Sequence, residues 1–373
     1  MKRLLRGAVK YVILPLLALC LVLSIGLVLH VTYHKGQIAQ RFEINSPPGI
    51  QETTSLELGG VEQWVFIRGE DVTHPVMLFL HGGPGSPETP AMRNYVSALE
   101  EHFVVVNWDQ RGAGKSCAGD IPPETMIMEQ FVQDTLELTQ WLREHFNQDK
   151  IYLVGHSWGS MIGTPAAQRH PELYHAYVGL GQAVSFYEGE RLSYQYTLEQ
   201  AREHDNQVAL QELLEIGKPP YSREDFLQHI RVQRKWLFEF GGMVYKDQSQ
   251  LAYNLGIVRD FLYAPEYSLA ESVNILRGPD PSVYSRLWDD MLAVDFISEI
   301  PSLDLPVFFL MGRHDWVTVF PLVEEYYEIL EAPHKELLWF DHSGHNPHYE
   351  ETDRFVHLMV ERVLHQTYPD PDK

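Results

Sequence analysis

Apolar and polar positions divide the chain into three textures. The first is an apolar block. From Tyr11 to Leu29 nineteen consecutive positions carry no charge. As a helix they would reach about 28 Å, close to the hydrocarbon thickness of a bilayer. The block is longer than the apolar part of a signal peptide, and no small-x-small cleavage pattern follows it. Lipoprotein processing is excluded because Leu19, before Cys20, is too bulky. The block therefore predicts one uncleaved anchor, residues 1–33, that meets a lipid bilayer through residues 11–33. Lys2, Arg3, Arg6 and Lys10 precede it, and only Lys35 and Arg41 follow closely. The positive-inside rule then sets the N-terminus in the cytoplasm and the remainder on the other side of the cell membrane. Residues 34–54 are polar, contain Pro47-Pro48-Gly49, and are expected to form a stalk.

The second texture alternates strand-like runs with helical spacing. The stretch 55–69 predicts a hairpin turning at Gly59-Gly60. Buried strands are expected at 76–80, 103–108, 151–155, 176–181, 306–312 and 336–340. Helices are expected over 128–147, after 155 to about 170, near 320–331 and near 351–365. Phe131, Thr135, Leu138, Leu142 and Phe146 carry the 3.6-residue period of the first of these. Strands alternating with helices predict an α/β domain, a mostly parallel sheet covered on both faces. Its two parts are 55–181 and 301–373. The third texture, 182–300, lacks β-type runs and is rich in Tyr, Trp, Gln, Glu and Arg at helical spacing. Because strand–helix alternation resumes after it, it reads as a mostly helical cap inserted over the carboxyl edge of the sheet.

Composition narrows the partners. The 373 residues include 51 Asp plus Glu against 29 Lys plus Arg, a formal charge of −22. Nucleic-acid binding needs clustered cations and is excluded as an expectation. With 45% hydrophobic residues the chain is neither disordered nor of low complexity. The two cysteines, Cys20 and Cys117, give no disulfide framework and no zinc-type spacing. No cofactor or metal is expected.

The chemistry centres on Gly155-His156-Ser157-Trp158-Gly159. G-x-S-x-G between a strand and a helix is a nucleophile elbow, in which small flanking residues make room for a serine on a sharp turn. A serine hydroxyl needs a histidine base and a carboxylate to orient that base, in chain order Ser, Asp/Glu, His. Asp315 follows the strand 306–312. His345 lies in the loop after the strand 336–340, and strand carboxyl ends are where catalytic groups gather. His342 and, less so, His348 rival His345, and Asp341 weakly rivals Asp315. Two backbone N–H groups should form an oxyanion hole. One is that of Trp158. The other comes from the loop His81-Gly82-Gly83-Pro84-Gly85-Ser86-Pro87.

HGGPGSP at 81–87, WDQRGAGKS at 108–116, GHSWGS at 155–160, GRHD at 312–315 and SGH at 343–345 together resemble the proline iminopeptidases of the α/β-hydrolase superfamily. The resemblance covers roughly 55–181 and 301–365 and is weak across the cap. It implies the α/β-hydrolase fold, with Ser157 as nucleophile, Asp315 and His345 as its partners, and the N–H groups of Gly83 and Trp158 as the hole. It also implies a metal-free exopeptidase that releases an N-terminal residue, preferably proline, from a short peptide. Asp109 and Arg111 read as a buried ion pair or turn stabiliser beside the site. In the family, cap carboxylates hold the substrate's free amine. Glu188 and Glu190 are the candidates here, against the plainer reading that both sit on a solvated helix face. An esterase, lactonase or amidase acting on a small ester or amide is the alternative. A silent binding module is a third, disfavoured by the complete set of reacting residues.

Overall fold

A computed structural model describes residues 13–117, 121–246, 248–277 and 281–368. The flanking cations Lys2, Arg3, Arg6 and Lys10 and the first positions of the apolar block lie outside the described residues. Helix α1, Leu14–Arg41, opens the chain. Strands β1 (Ile50–Leu58) and β2 (Val61–Gly69) form the expected hairpin, and β3 is Val76–Leu80. Helix α2 (Thr89–Val96), β4 (Val104–Asp109), α3 (Met128–Phe146), β5 (Ile151–His156), α4 (Trp158–Arg169) and β6 (Tyr174–Leu180) follow. After an insertion come β7 (Val307–Gly312), α12 (Phe320–Ile329), β8 (Lys335–Phe340), α13 (Pro347–Glu350) and α14 (Thr352–Leu358).

The strands make one eight-stranded sheet in the order β1-β2-β4-β3-β5-β6-β7-β8. β1 and β2 pair antiparallel, as do β2 and β4, and every other neighbour pair is parallel. Strand residues alternate between two cores, as a period of two requires. Leu78, Leu80, Leu153, Tyr177 and Phe309 face one core with α3, α4 and α12. Met77, Phe79, Val154, Val178 and Phe308 face the other with α2 and α14. Covered on both sides, β3 and β5 are buried at every position, which is why they read as unbroken apolar runs.

The insertion between β6 and β7 is helical. It comprises α5 (Phe186–Glu203), α6 (Gln207–Ile216), α7 (Phe226–Glu239), α8 (Gln250–Leu262), α9 (Leu269–Arg277), α10 (Pro281–Ala293) and α11 (Phe296–Glu299). Asn206 and Ser249 cap α6 and α8 by accepting the N–H groups of Ala209 and Ala252. Tyr194, Leu198 and Ala201 of α5 pack with Ala209 and Leu213 of α6 and Trp236 of α7. The insertion is fastened to the sheet domain by Leu287 and Met291, which join the main core, and by Tyr196 stacked on Trp316 at 4.2 Å.

The residues between 34 and 54 differ from a free polar stalk. Helix α1 runs on to Arg41, and β1 begins at Ile50. No proline stands between Lys35 and Pro47, and one face of the extension finds partners. His30 Nε2 lies 3.0 Å from the Tyr263 hydroxyl, His34 stacks on the Tyr263 ring at 4.7 Å, and the Lys35 ammonium donates to the Tyr267 carbonyl. Just beyond, the Phe42 carbonyl accepts from Arg68, and Arg93 lies over the Phe42 ring. From Ile13 to His30, by contrast, every residue of this segment is exposed. It is a helix long and apolar enough to cross a membrane, at the N-terminal end of the described residues.

Candidate active site

The site forms where β3, β5, β6, β7 and β8 end. Ser157 sits between β5 and α4 with φ 53° and ψ −116°, a left-handed backbone that side chains rarely adopt. The neighbouring glycines make the turn feasible. A Cβ on Gly155 would come within 2.6 Å of the Gly159 carbonyl oxygen, and one on Gly159 would strike the Leu80 carbonyl. The Ser157 N–H donates to the Leu180 carbonyl at 3.0 Å, which pins the elbow to the end of β6. Trp158 opens α4, so its N–H has no acceptor within the helix. Its indole is buried and donates to Gln110 at 2.9 Å.

Asp315 and His345 are brought together from separate strand ends. Asp315 is fully buried, and its Oδ2 lies 2.9 Å from His345 Nδ1. The same oxygen accepts from the Thr318 hydroxyl, and Oδ1 accepts from the N–H groups of Val317 and Thr318. Burial pushes this carboxyl up, but the His345 charge and the hydrogen bonds from His345 and Thr318 outweigh it. Asp315 is held below the usual range and stays ionised. The His345 ring lies against Gly181, the residue after β6, where a Cβ would meet its Nδ1 at 3.2 Å. Ser157 and the His345 ring therefore border the same turn, Leu180-Gly181. His345 is only 6% exposed. Its N–H donates to the carbonyl of Met243, from the insertion, at 2.8 Å.

The loop after β3 lies against the elbow. A Cβ on Gly82 would come within 3.3 Å of the Ser157 Cβ. Gly83 has φ +117°, and a side chain there would press on the N–H groups of Gly85 and Ser86. His81 is buried and pushed down to about 4, chiefly by burial, so it is neutral. Its Nε2 accepts from the Gln110 N–H.

The rival residues lie elsewhere. Asp341 and His342 are exposed, and Arg313 stands beside Asp341 at 3.7 Å. His348 is buried, but its Nε2 faces Glu88 at 3.1 Å. Asp109 and Arg111 do not pair with each other. Asp109 accepts from the Tyr267 hydroxyl and the Lys115 N–H, while Arg111 makes a buried, two-bond ion pair with Asp134 of α3. Glu188 is bound to Arg191 on the surface of α5. Glu190 is 2% exposed and ion-paired with Arg234 of α7, so the solvated-face reading fails for it. A helix turn of three or four residues separates solvent from core, and the sequence spacing did not register which side Glu190 takes. Glu88 escaped the sequence reading altogether. It follows directly on the 81–87 loop, and a carboxylate one residue after a glycine-rich loop that opens on His81 is the signal that would have drawn attention to it.

A serine on a strained strand–helix elbow, beside a histidine bonded to a buried aspartate at the carboxyl edge of a mostly parallel sheet, defines an α/β-hydrolase. Residues 75–214 match the sequence profile of the alpha/beta hydrolase fold. Over 310 residues the chain is 33% identical to "Probable aminopeptidase YbaC" of Bacillus subtilis, covering 83% of this chain and 95% of that protein. It is 25% identical to a proline iminopeptidase of Heyndrickxia coagulans over 76% of this chain and 88% of the relative. Among solved structures, a proline iminopeptidase-related protein of Thermus thermophilus superposes with a TM-score of 0.59 at 24% identity, over 84% of this chain and 96% of that one. The chain belongs to the proline iminopeptidase-like family of the α/β-hydrolase superfamily and is a hydrolase of the serine peptidase type.

Proposed function

We propose that the protein is a membrane-anchored serine exopeptidase that removes the N-terminal residue, proline preferred, from short peptides. Ser157 is the nucleophile, His345 the base and Asp315 its orienting partner. The observation that carries this reading is the 2.9 Å contact between His345 Nδ1 and the fully buried Asp315, beside the strained elbow. With Nδ1–H committed to Asp315, the other ring nitrogen is free to take a proton. His345 accepts the Ser157 proton as the hydroxyl attacks the scissile carbonyl. The N–H groups of Gly83 and Trp158 receive the oxyanion, a contribution of about 3 kcal/mol for each donor lost. His345 then protonates the leaving amine. Water repeats the sequence on the acyl-enzyme and releases the acid. The exposed apolar helix up to Leu29 supports anchoring, and the four cations that precede it in the sequence support placing the catalytic domain outside the cytoplasm.

A second reading, an esterase or amidase that does not require a free amine, is favoured by one observation. Both carboxylates considered as amine holders, Glu188 and Glu190, are engaged by arginines. Proline, alanine and N-acetylproline anilides and a small aryl ester, tested on one enzyme preparation, separate the two readings. The exopeptidase reading expects free-amine proline anilide to be cleaved best and acetylation to abolish turnover. Good ester hydrolysis with no anilide cleavage overturns it. Ser157→Ala should lower kcat by at least about 10⁴-fold on whichever substrate is turned over.

A further inference from the structure

The carboxylate of Glu88 has no role in the mechanism above, yet four donors converge on it. Oε1 accepts from the Gly82 N–H at 2.8 Å and lies 2.7 Å from His156 Nδ1. Oε2 lies 3.1 Å from His348 Nε2 and accepts from the Tyr349 hydroxyl at 2.6 Å. A carboxylate offers about four acceptor positions, so Glu88 is filled. The donors come from three places that the chain order keeps apart: the loop after β3, the elbow, and the segment after β8. His156 extends the connection, because its Nε2 lies 3.1 Å from the carbonyl oxygen of His345. A carboxylate and a carbonyl oxygen both only accept. An imidazole bonded to both must donate from both nitrogens, and is therefore protonated.

Other roles fit less well. Glu88, His156 and His348 present ligand atoms within 4.8 Å of one another, as a cation site would. The 2.7 Å separation of Glu88 and His156 is, however, a hydrogen-bond distance, shorter than two ligands spread around one ion adopt. Holding a substrate amine would require an acceptor position that the four donors already occupy.

We propose that Glu88 is a positioning residue. Through the His156 imidazolium it ties the loop that carries Gly83 to the loop that carries His345, keeping oxyanion donor and base in register across Ser157. The proposal rests on the assignment of Ser157, His345 and Gly83 given above. The charges agree with it. Burial disfavours the ionised form of Glu88, but the His156 charge and the bonds from His156 and His348 hold it well below the usual range. Burial likewise disfavours protonated His156, but the charge and hydrogen bond of Glu88, the His345 carbonyl and the Asp315 charge raise it above 6.5. The other titratable groups facing the pair are the rings of His348 at 4.7 Å and His345 at 5.1 Å, with His81, Tyr349 and Tyr253 around the carboxylate. His348 is neutral, pushed down to about 4 by burial. The tie is complete between the lowered Glu88 value and the raised His156 value. Above the latter, neutral His156 keeps one N–H and releases either Glu88 or the His345 carbonyl.

The test uses the full-length enzyme in detergent and a fluorophosphonate, whose rate of serine labelling reports the reactive geometry at each pH without depending on the substrate. Glu88→Gln keeps the shape and removes the charge. It is expected to slow labelling and kcat about a hundredfold, the cost of a small misplacement, with KM little changed. It should also move the alkaline limb of the labelling profile to lower pH, because His156 loses its counter-charge. Tyr349→Phe strips one donor from Oε2 without touching the elbow and should slow labelling by a smaller factor than Glu88→Gln. Wild-type kcat and an unmoved profile in both variants, even with a lowered Tm, overturn the proposal. So does a stoichiometric, EDTA-reversible zinc requirement, which would make the cluster a metal site. Ser157→Ala provides the control for the underlying assignment. Persistent labelling there overturns the triad reading, whereas lost labelling there beside wild-type behaviour of Glu88→Gln overturns only the role of Glu88.

Discussion

At the scale of single residues, the ionisation states follow from what each buried carboxylate touches. Asp315 and Asp109 are both fully buried, yet they titrate in opposite directions. Asp315 faces an imidazole and three donors from its own loop, and stays ionised. Asp109 accepts one backbone N–H and one tyrosine hydroxyl, and burial dominates, pushing it up to about 7. A carboxyl whose folded value is raised favours the folded state while it is protonated. Wild-type stability is therefore lost as pH rises from about 4 toward 7, by linkage. Asp109→Asn, which accepts from Lys115 and donates to Tyr267, carries no such term. The Tm difference, variant minus wild type, should grow in favour of the variant between pH 5 and pH 8. A constant difference across that range would contradict the assignment. The identity of Asp109 as a motif residue was legible in the sequence. Its partner was not, because Tyr267 lies 158 positions away.

Elements obey a simpler logic, and more of it was readable. Strands buried on both faces read as unbroken apolar runs, and α3 carries its period of three and four. Strand and helix limits in the sheet domain consequently fall within a few residues of the expected ones. What holds the elements to each other was less visible. Arg111, from the loop after β4, donates to Asp134 of α3 and also to the carbonyls of Leu58 and Gly59 at the β1–β2 turn, with both ionic side chains fully buried. One guanidinium thus joins a loop, a helix and a hairpin. Arg111→Met should cost about 3–5 kcal/mol, because it leaves Asp134 buried and uncompensated. Adding Asp134→Leu should recover much of that loss. Urea unfolding of the single and double variants measures both; additive losses would show that the pair is not the source. The sequence offered Asp109 and Arg111 as an ion pair or a turn stabiliser; the pair does not form, whereas Asp109 does hold its turn by accepting the Lys115 N–H. In space the loop turns between them, and each faces a different partner.

At the scale of the whole molecule, the N-terminal helix has two halves with different partners. Up to Leu29 it is exposed and apolar. From His30 it docks on the insertion through Tyr263 and Tyr267, and Phe42 beyond its end is held by Arg68 and Arg93. Core, insertion and N-terminal helix meet at this junction, since the Tyr267 hydroxyl also reaches Asp109. Removing residues 1–29 should therefore yield a protein soluble without detergent and with unchanged Tm. Removing residues 1–42 should lower stability by about 1–3 kcal/mol, the usual range for losing a packed cluster. Equal melting of the two would show that the junction adds nothing.

The sequence by itself determined the alternation of strands and helices, the elbow, the chain order of serine, aspartate and histidine, and the apolar helix. Each of these depends on neighbours within a few positions, through periodicity or through a turn that needs glycine. Only the tertiary structure decided which carboxylates were already engaged, where the exposed part of the N-terminal helix gives way to the part packed on the body, and that Glu88 joins three loops. Those facts depend on groups separated by tens to hundreds of residues along the chain. Burial and distance alone choose a partner there, and no local pattern encodes either.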